Sequence, residues 1–86
     1  MAVYAYLLIE VQGNKERSVL ERIKAISGVN VANLVTGIYD IIAVIEGDEL
    51  YSLGEMVTSK IRSIDGVIKT TMAVVVPVVR GQDPFA

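Results

Sequence analysis

The sequence predicts an α+β fold of element order βαββαβ: a four-stranded antiparallel sheet with two helices on one face. Three observations carry that prediction. Two heptads, Ile23-Lys24-Ala25-Ile26-Ser27-Gly28-Val29 and Ile61-Arg62-Ser63-Ile64-Asp65-Gly66-Val67, agree at Ile, Ile, Gly and Val, with Lys/Arg and Ala/Ser as near matches. Each heptad closes an amphipathic stretch and opens a β-branched one. That is the chemistry of a helix stop, in which glycine takes the left-handed position past the last turn and valine starts a strand. Thirdly, a short polar turn, Thr36–Tyr39, separates two apolar runs at mid-chain, as a hairpin requires.

In the first half, Val3 to Val11 alternates as a strand, with Tyr4, Tyr6 and Leu8 on one face and Ala5, Leu7, Ile9 and Val11 on the other. Gln12-Gly13-Asn14 reads as a turn, with Gly13 or Asn14 as the N-cap of a helix running to about Ser27. Val19, Leu20, Ile23 and Ile26 form its apolar stripe. Val29 to Val35 is the second strand, and Asp40 to Glu46 the third.

The second half repeats the plan. Gly47-Asp48 opens a helix with Asp48 as N-cap, and Leu50, Leu53, Val57, Ile61 and Ile64 mark its apolar stripe. The last strand runs from about Val67 through Val76. Pro77 has no amide hydrogen and belongs on an edge or at the end of ladder pairing. The tail Gly81–Ala86 reads as loop or strand extension, with Phe85 able to anchor it to a neighbour.

This order is the ferredoxin-like plait, in which two right-handed βαβ crossovers put both helices on one sheet face. Polar residues should alternate outward if the other face met water. Instead Ile41-Ile42-Ala43-Val44-Ile45 and Met72-Ala73-Val74-Val75-Val76 are apolar at every position. Both faces are therefore expected to be buried. A second subunit's sheet is the simplest cover, giving a face-to-face homodimer, a dimeric α+β barrel.

Composition narrows the function classes. With 86 residues the chain is one domain, and 52% hydrophobic against 21% charged residues excludes a disordered segment. A net charge of −2 removes the usual electrostatic basis for nucleic-acid binding. The eight basic residues are scattered, which reads as solvated helix faces. Without cysteine there are neither disulfides nor thiolate metal sites, as in a reducing cytoplasm, and without histidine the usual nucleophile–base pairs are missing. No run approaches the roughly 18–20 apolar residues of a membrane span. Asp48-Glu49 at a helix start is explained by capping and the helix dipole. No cofactor, metal ion, membrane or direct nucleic-acid partner is implied, and no enzymatic centre.

The turn Thr36-Gly37-Ile38-Tyr39-Asp40 is the conspicuous polar feature. It has two readings. In the structural one, Gly37 supplies a left-handed residue, Asp40 bonds nearby amides and Tyr39 covers the sheet end. In the functional one, the turn's amide hydrogens hold a carboxylate while Asp40 pairs with an ammonium, a site for a zwitterion such as a free amino acid. Thr70-Thr71 has the same ambiguity, between good strand residues and hydroxyls placed after the Gly-Val stop.

These stretches resemble the effector-binding (RAM, ligand-binding) domain of the Lrp/AsnC regulators. The resemblance is carried by Val29–Asp40, the apolar strand Ile41–Glu46, the stop Ile61–Val67, and Thr70-Thr71 leading into Met72–Val78. It implies a plait that dimerises through its sheets and assembles further into rings of about four or five dimers, an octamer or decamer. It also implies an amino-acid effector bound between dimers near Gly37, Tyr39 and Asp40, with Thr70 and Thr71 supplied by the neighbouring subunit. Full-length members carry an N-terminal helix-turn-helix of roughly 50–60 residues. The first strand here begins by about Val3, so the expectation is a single effector-binding domain over residues 1–86 with no DNA-binding domain.

The leading expectation is thus an oligomeric amino-acid-sensing module in the cytoplasm, modulating transcription regulators or amino-acid metabolism. The alternative is a protein–protein assembly adaptor that joins a full-length Lrp/AsnC regulator without binding a ligand itself. A small enzyme of the dimeric plait type ranks third, since such sites need a histidine or an acid–base pair in a cleft.

Overall fold

Alternating apolar residues build the sheet around two central strands. The computed structural model describes residues 2–77, with strands β1 (Val3–Val11), β2 (Val29–Leu34), β3 (Ile41–Gly47) and β4 (Val67–Val74) and helices α1 (Glu16–Lys24) and α2 (Leu50–Glu55), the latter continued by a π-helical segment (Met56–Ile61). The sheet order is β2-β3-β1-β4, with every neighbouring pair antiparallel, so the α+β ferredoxin-like arrangement stands. The expected anchoring by Phe85 lies outside the described residues.

The alternation in β1 is as expected. Ala5, Leu7 and Ile9 are fully buried and Val11 nearly so, together with Ile41, Ala43 and Ile45 of β3 and Ala32 of β2. The helices cover this face with Val19 and Ile23 of α1 and with Leu53, Met56, Val57, Ile61 and Ile64 of the second helical unit and the turn after it. Among the described residues no polar side chain is buried. Burying such side chains, at roughly 1.5–3 kcal/mol each, is what holds helices and sheet together.

Both Gly-Val stops form. Gly28 and Gly66 adopt φ of +97° and +106°, and the amides of Val29 and Val67 donate to the carbonyls of Ile26 and Ile64, each at 3.1 Å. Each glycine carbonyl then receives an amide from the other half-unit's strand end: Glu46 N–H to Gly28 O and Gln12 N–H to Gly66 O, both at 2.8 Å. The repeat is therefore a pair of reciprocal locks as well as a sequence pattern.

Several local expectations are corrected. α1 is capped by Lys15 without a side-chain bond, while Asn14 takes a left-handed turn conformation (φ 73°) and Lys15 N–H donates to Gln12 O at 3.1 Å. α2 is preceded by Glu49, again without a side-chain cap, so Asp48 does not serve as one. Leu50 is 56% exposed and Met56, absent from the expected stripe, is buried. β4 ends at Val74, two residues short of the expected end.

The second sheet face is open within one chain. Cross-strand pairing lines up Val31–Val44–Tyr6–Ala73 and Asn33–Ile42–Leu8–Thr71 on it. Val31 is 47% and Tyr6 41% exposed, while Leu8, Ile42 and Val44 are half-buried. The middle of this face is apolar, through Val31, Val44, Tyr6, Ala73, Ile42 and Leu8, but Asn33, Thr71, Glu46, Glu10 and Lys69 stand around it, and this chain alone does not cover it.

Candidate functional site

The mid-chain turn is tied to the sheet through Asp40. Its backbone joins the flanking strands, with Val35 N–H donating to Asp40 O and Asp40 N–H to Ile9 O, both at 2.9 Å. Its carboxylate then does what a carbonyl would do one step further along the ladder: Val11 N–H donates to Asp40 Oδ2 at 2.7 Å. A charge-assisted bond of this kind satisfies an amide that β3 no longer reaches. The structural reading of Asp40 is therefore correct for one of its two oxygens. Oδ1 has no protein hydrogen bond among the described residues.

Thr36, Gly37 and Ile38 of the turn are exposed to the outside. Gly37 has φ +117° with open space where a Cβ would stand, so its backbone conformation requires glycine and packing does not. Tyr39 is half-buried and Ile38 is 85% exposed at the tip.

The structure does not bring Thr70 and Thr71 to the turn within one chain. Thr70 pairs with Ile9 and Thr71 with Leu8, and those two residues pair on their other side with Ile41 and Ile42. β1 thus stands between them and β3, which puts the threonines about 10 Å from β3 at two strand spacings. Their faces also differ: Thr71 shares the open face with Leu8 and Ile42, and Thr70 shares the helix face with Ile9 and Ile41. Thr70 lines an open cleft of about 320 Å³ at the outer edge of β4 with Arg62, Val67, Ile68 and Lys69.

A separate cleft of about 300 Å³ is lined by Asp40 with Glu16, Arg17, Leu34 and Val35. Sequence reasoning missed those four. Arg17 reads with the other basic residues as a solvated helix face, Leu34 and Val35 read as the end of a strand, and Glu16 stands out in no pattern, because no local signal shows that the first turn of α1 lies beside the end of β2. Nearby, Lys15 Nζ and Asp65 Oδ2 form an exposed ion pair at 2.6 Å that ties the start of α1 to the second Gly-Val stop. Lys15, by hydrogen bond and charge, holds the Asp65 carboxyl below its ordinary value of 3.8. Among the described residues no three His, Cys, Asp or Glu gather to hold a metal ion, and no helix is long and apolar enough to cross a membrane.

A four-stranded plait with an acidic turn and small clefts at its rim has the form of a compact ligand-binding domain. The sequence profile of the Lrp/AsnC ligand binding domain matches residues 4–83, and the chain belongs to that family. It is 28% identical over 76 residues to the HTH-type transcriptional regulator PF1231 of Pyrococcus furiosus, covering 88% of this chain and 51% of that one. The chain thus spans about half the length of that regulator. Among solved structures, FFRP-DM1 superposes with a TM-score of 0.82 at 34% identity, over 86% of this chain and 99% of its own. The NMB0573/L-Met complex, a transcriptional regulator from Neisseria meningitidis, shares the fold with a TM-score of 0.79 at 14% identity, over 91% of this chain and 52% of its own.

Proposed function

We propose that this chain is an oligomeric sensing module for a free amino acid, acting within transcription regulation or amino-acid metabolism. The observation that carries this reading is Asp40. In a chain of the Lrp/AsnC ligand-binding family, this carboxylate is anchored by one oxygen to Val11 and lines a cleft at the domain rim with the other unbonded. A carboxylate held that way is oriented for an ammonium group. That a regulator of the same fold is described with L-Met supports the ligand class.

Dimerisation is the second part of the proposal. The rows through Val31, Val44 and Tyr6 and through Ile42 and Leu8 leave an apolar sheet face that a second copy's sheet would cover. Such dimers assemble into an octamer or decamer. There the turn residues Gly37, Tyr39 and Asp40 of one dimer meet Thr70 and Thr71 of another, which the roughly 10 Å separation inside one chain otherwise prevents.

The test must respect the structural role of Asp40. Asp40→Ala would orphan Val11 N–H and cost about 1–3 kcal/mol of stability, so lost binding would be ambiguous. Asp40→Asn keeps an acceptor for Val11 and removes the charge. Titration calorimetry and thermal shift with the proteinogenic amino acids should give at least one ligand, adding about 2.7 kcal/mol of stability at 100 times its Kd, with Asp40→Asn abolishing the effect. Absence of heat and of any melting shift across the panel would sink the sensing role.

The same open sheet face supports a second reading. Its apolar rows offer a surface to the sheet of a full-length relative as well as to a second copy, which is what an assembly adaptor needs. Co-expression with such a regulator followed by native mass spectrometry separates the two, because an adaptor forms mixed oligomers and responds to no amino acid.

A further inference from the structure

We propose that the outer edge of β4 pairs with β4 of a second copy, antiparallel about a two-fold axis at Met72, joining two sheets edge to edge. This contact is separate from the open sheet face and from the amino-acid reading, and its test depends on neither.

β4 stands at one end of the sheet order, with β1 on one side and no strand on the other among the described residues. Val75 N–H donates to Tyr4 O at 2.8 Å. Successive residues of a strand turn their backbone groups to opposite sides, so those of Thr71 and Ala73 also face β1. The N–H and C=O groups of Thr70, Met72 and Val74 therefore point away from it, along a ladder that is regular from Lys69 to Val74. The opposite edge differs. β2 is broken by an irregularity between Val29 and Val31 and has α1 packed beside it, two devices that blunt an edge.

No such device protects β4. Residues 70–76 read Thr-Thr-Met-Ala-Val-Val-Val, with no charge, glycine or proline before Pro77. A bare edge of that composition is a template for aggregation, so a chain that stays in solution needs it covered at all times. A second copy is the partner always present in equal amount.

The register follows from the side chains. Ile68, the extra residue where the β1–β4 ladder shifts, is 66% exposed, and Val76 is 77% exposed. A two-fold axis at Met72 sets Ile68 of each copy opposite Val76 of the other, and Thr70 opposite Val74. An axis at Thr71 would set Val76 opposite Gly66, which has no side chain to pack, and one at Ala73 would carry Ile68 beyond Pro77. Met72 also faces outward, so the axis falls on a hydrogen-bonded pair, and Thr70, Met72 and Val74 exchange about six backbone bonds between the copies. Lys69 then stands opposite Val75, and no like charges meet. Because these bonds are all backbone, the Thr70 and Thr71 hydroxyls take no part in them.

Cysteine cross-linking tests this on the full chain, which has no cysteine of its own. Residues at a hydrogen-bonded antiparallel position have Cα atoms about 5.5 Å apart, within the span of a disulfide. Under mild oxidation Met72→Cys should link to itself and run as a covalent dimer on a non-reducing gel. Thr70→Cys and Val74→Cys should each fail to self-link, since like residues are offset by about 13 Å along the strands, and should link to each other when co-expressed. Val74→Pro removes a donor that faces away from β1, so it should keep the circular dichroism spectrum and about halve the assembly mass in light scattering. Absence of linkage at Met72→Cys, its linkage to a different chain, or self-linkage at position 70 or 74 as fast as at 72 would overturn the proposal. So would an undiminished mass for a folded Val74→Pro.

Discussion

The two half-units end their helices identically and build them differently. Both stops use a left-handed glycine, a 3.1 Å bond from the following valine, and a 2.8 Å bond to the other half's strand end. Between start and stop, α1 is a regular helix whose buried pair Val19 and Ile23 needs a single four-residue step. The second helix takes two such steps, Leu53 to Val57 to Ile61, all buried. Each step overshoots a 3.6-residue turn by about 40°, so a regular helix would swing Ile61 off the sheet. The wide turn Met56–Ile61, with Arg62 N–H donating to Val57 O at 2.9 Å, takes up the excess. Helix ends are thus set by local backbone chemistry, and helix interiors by the surface they pack on.

The largest expected effect breaks the second helix at the residue the apolar pattern and the packing agree on. Leu53→Ala should cost about 3 kcal/mol in chemical denaturation, by lost burial and the cavity left. Leu50→Ala, at the same rank in the sequence pattern but 56% exposed, should cost under about 0.5 kcal/mol. Equal costs would mean the stripe reads burial better than the fold does.

The stops themselves should differ next. Alanine at either position carries about 1–2 kcal/mol for the left-handed backbone. A Cβ on Gly28 would also meet Met56 Cε at 2.5 Å and Glu46 O at 3.0 Å, whereas on Gly66 it would meet Val19 Cγ2 at 3.0 Å and Lys15 Cβ at 3.1 Å. Gly28→Ala should therefore lower the denaturation midpoint more than Gly66→Ala. The reverse order would show that the thioether yields at no cost and that β-branched Val19 is the stiffer neighbour.

The smallest effect concerns charge at the second stop. Asp65 is held below 3.8 first by the hydrogen bond from Lys15 and then by its charge, with a minor contribution from Arg22, while burial opposes. A carboxyl lower in the folded than in the unfolded chain contributes stability above its ordinary value and loses that contribution as pH falls through the folded one. Lys15→Met should raise the Asp65 midpoint towards 3.8 in a carbon-13 carboxyl titration. An unmoved midpoint would reassign the shift away from Lys15.

How much was legible follows from the range of the forces. Element order, the alternation in β1, both glycine stops and the hairpin are effects of neighbours within about four residues, and all are written in the sequence. The N-caps were misread because Asn14 turns left-handed and Asp48 stands one residue too early, a matter of single dihedral angles. Leu50 was misread because a hydrophobic stripe records which side chains can be buried and leaves open which of them reach the sheet. At the site, Gly37 and Asp40 are visible as turn chemistry and Thr70 and Thr71 as hydroxyls placed after the Gly-Val stop, while the family resemblance alone joins the two stretches into one site.

By itself the sequence determined that this is a plait of two similar halves with an acidic turn at mid-chain, because periodicity and glycine chemistry act locally. Only the tertiary structure decided that one Asp40 oxygen completes the ladder to Val11 while Glu16, Arg17, Leu34 and Val35 gather around that carboxylate. Val11, Glu16 and Arg17 are each more than twenty positions from Asp40, and their proximity to it exists only once the sheet has paired and α1 has packed across it.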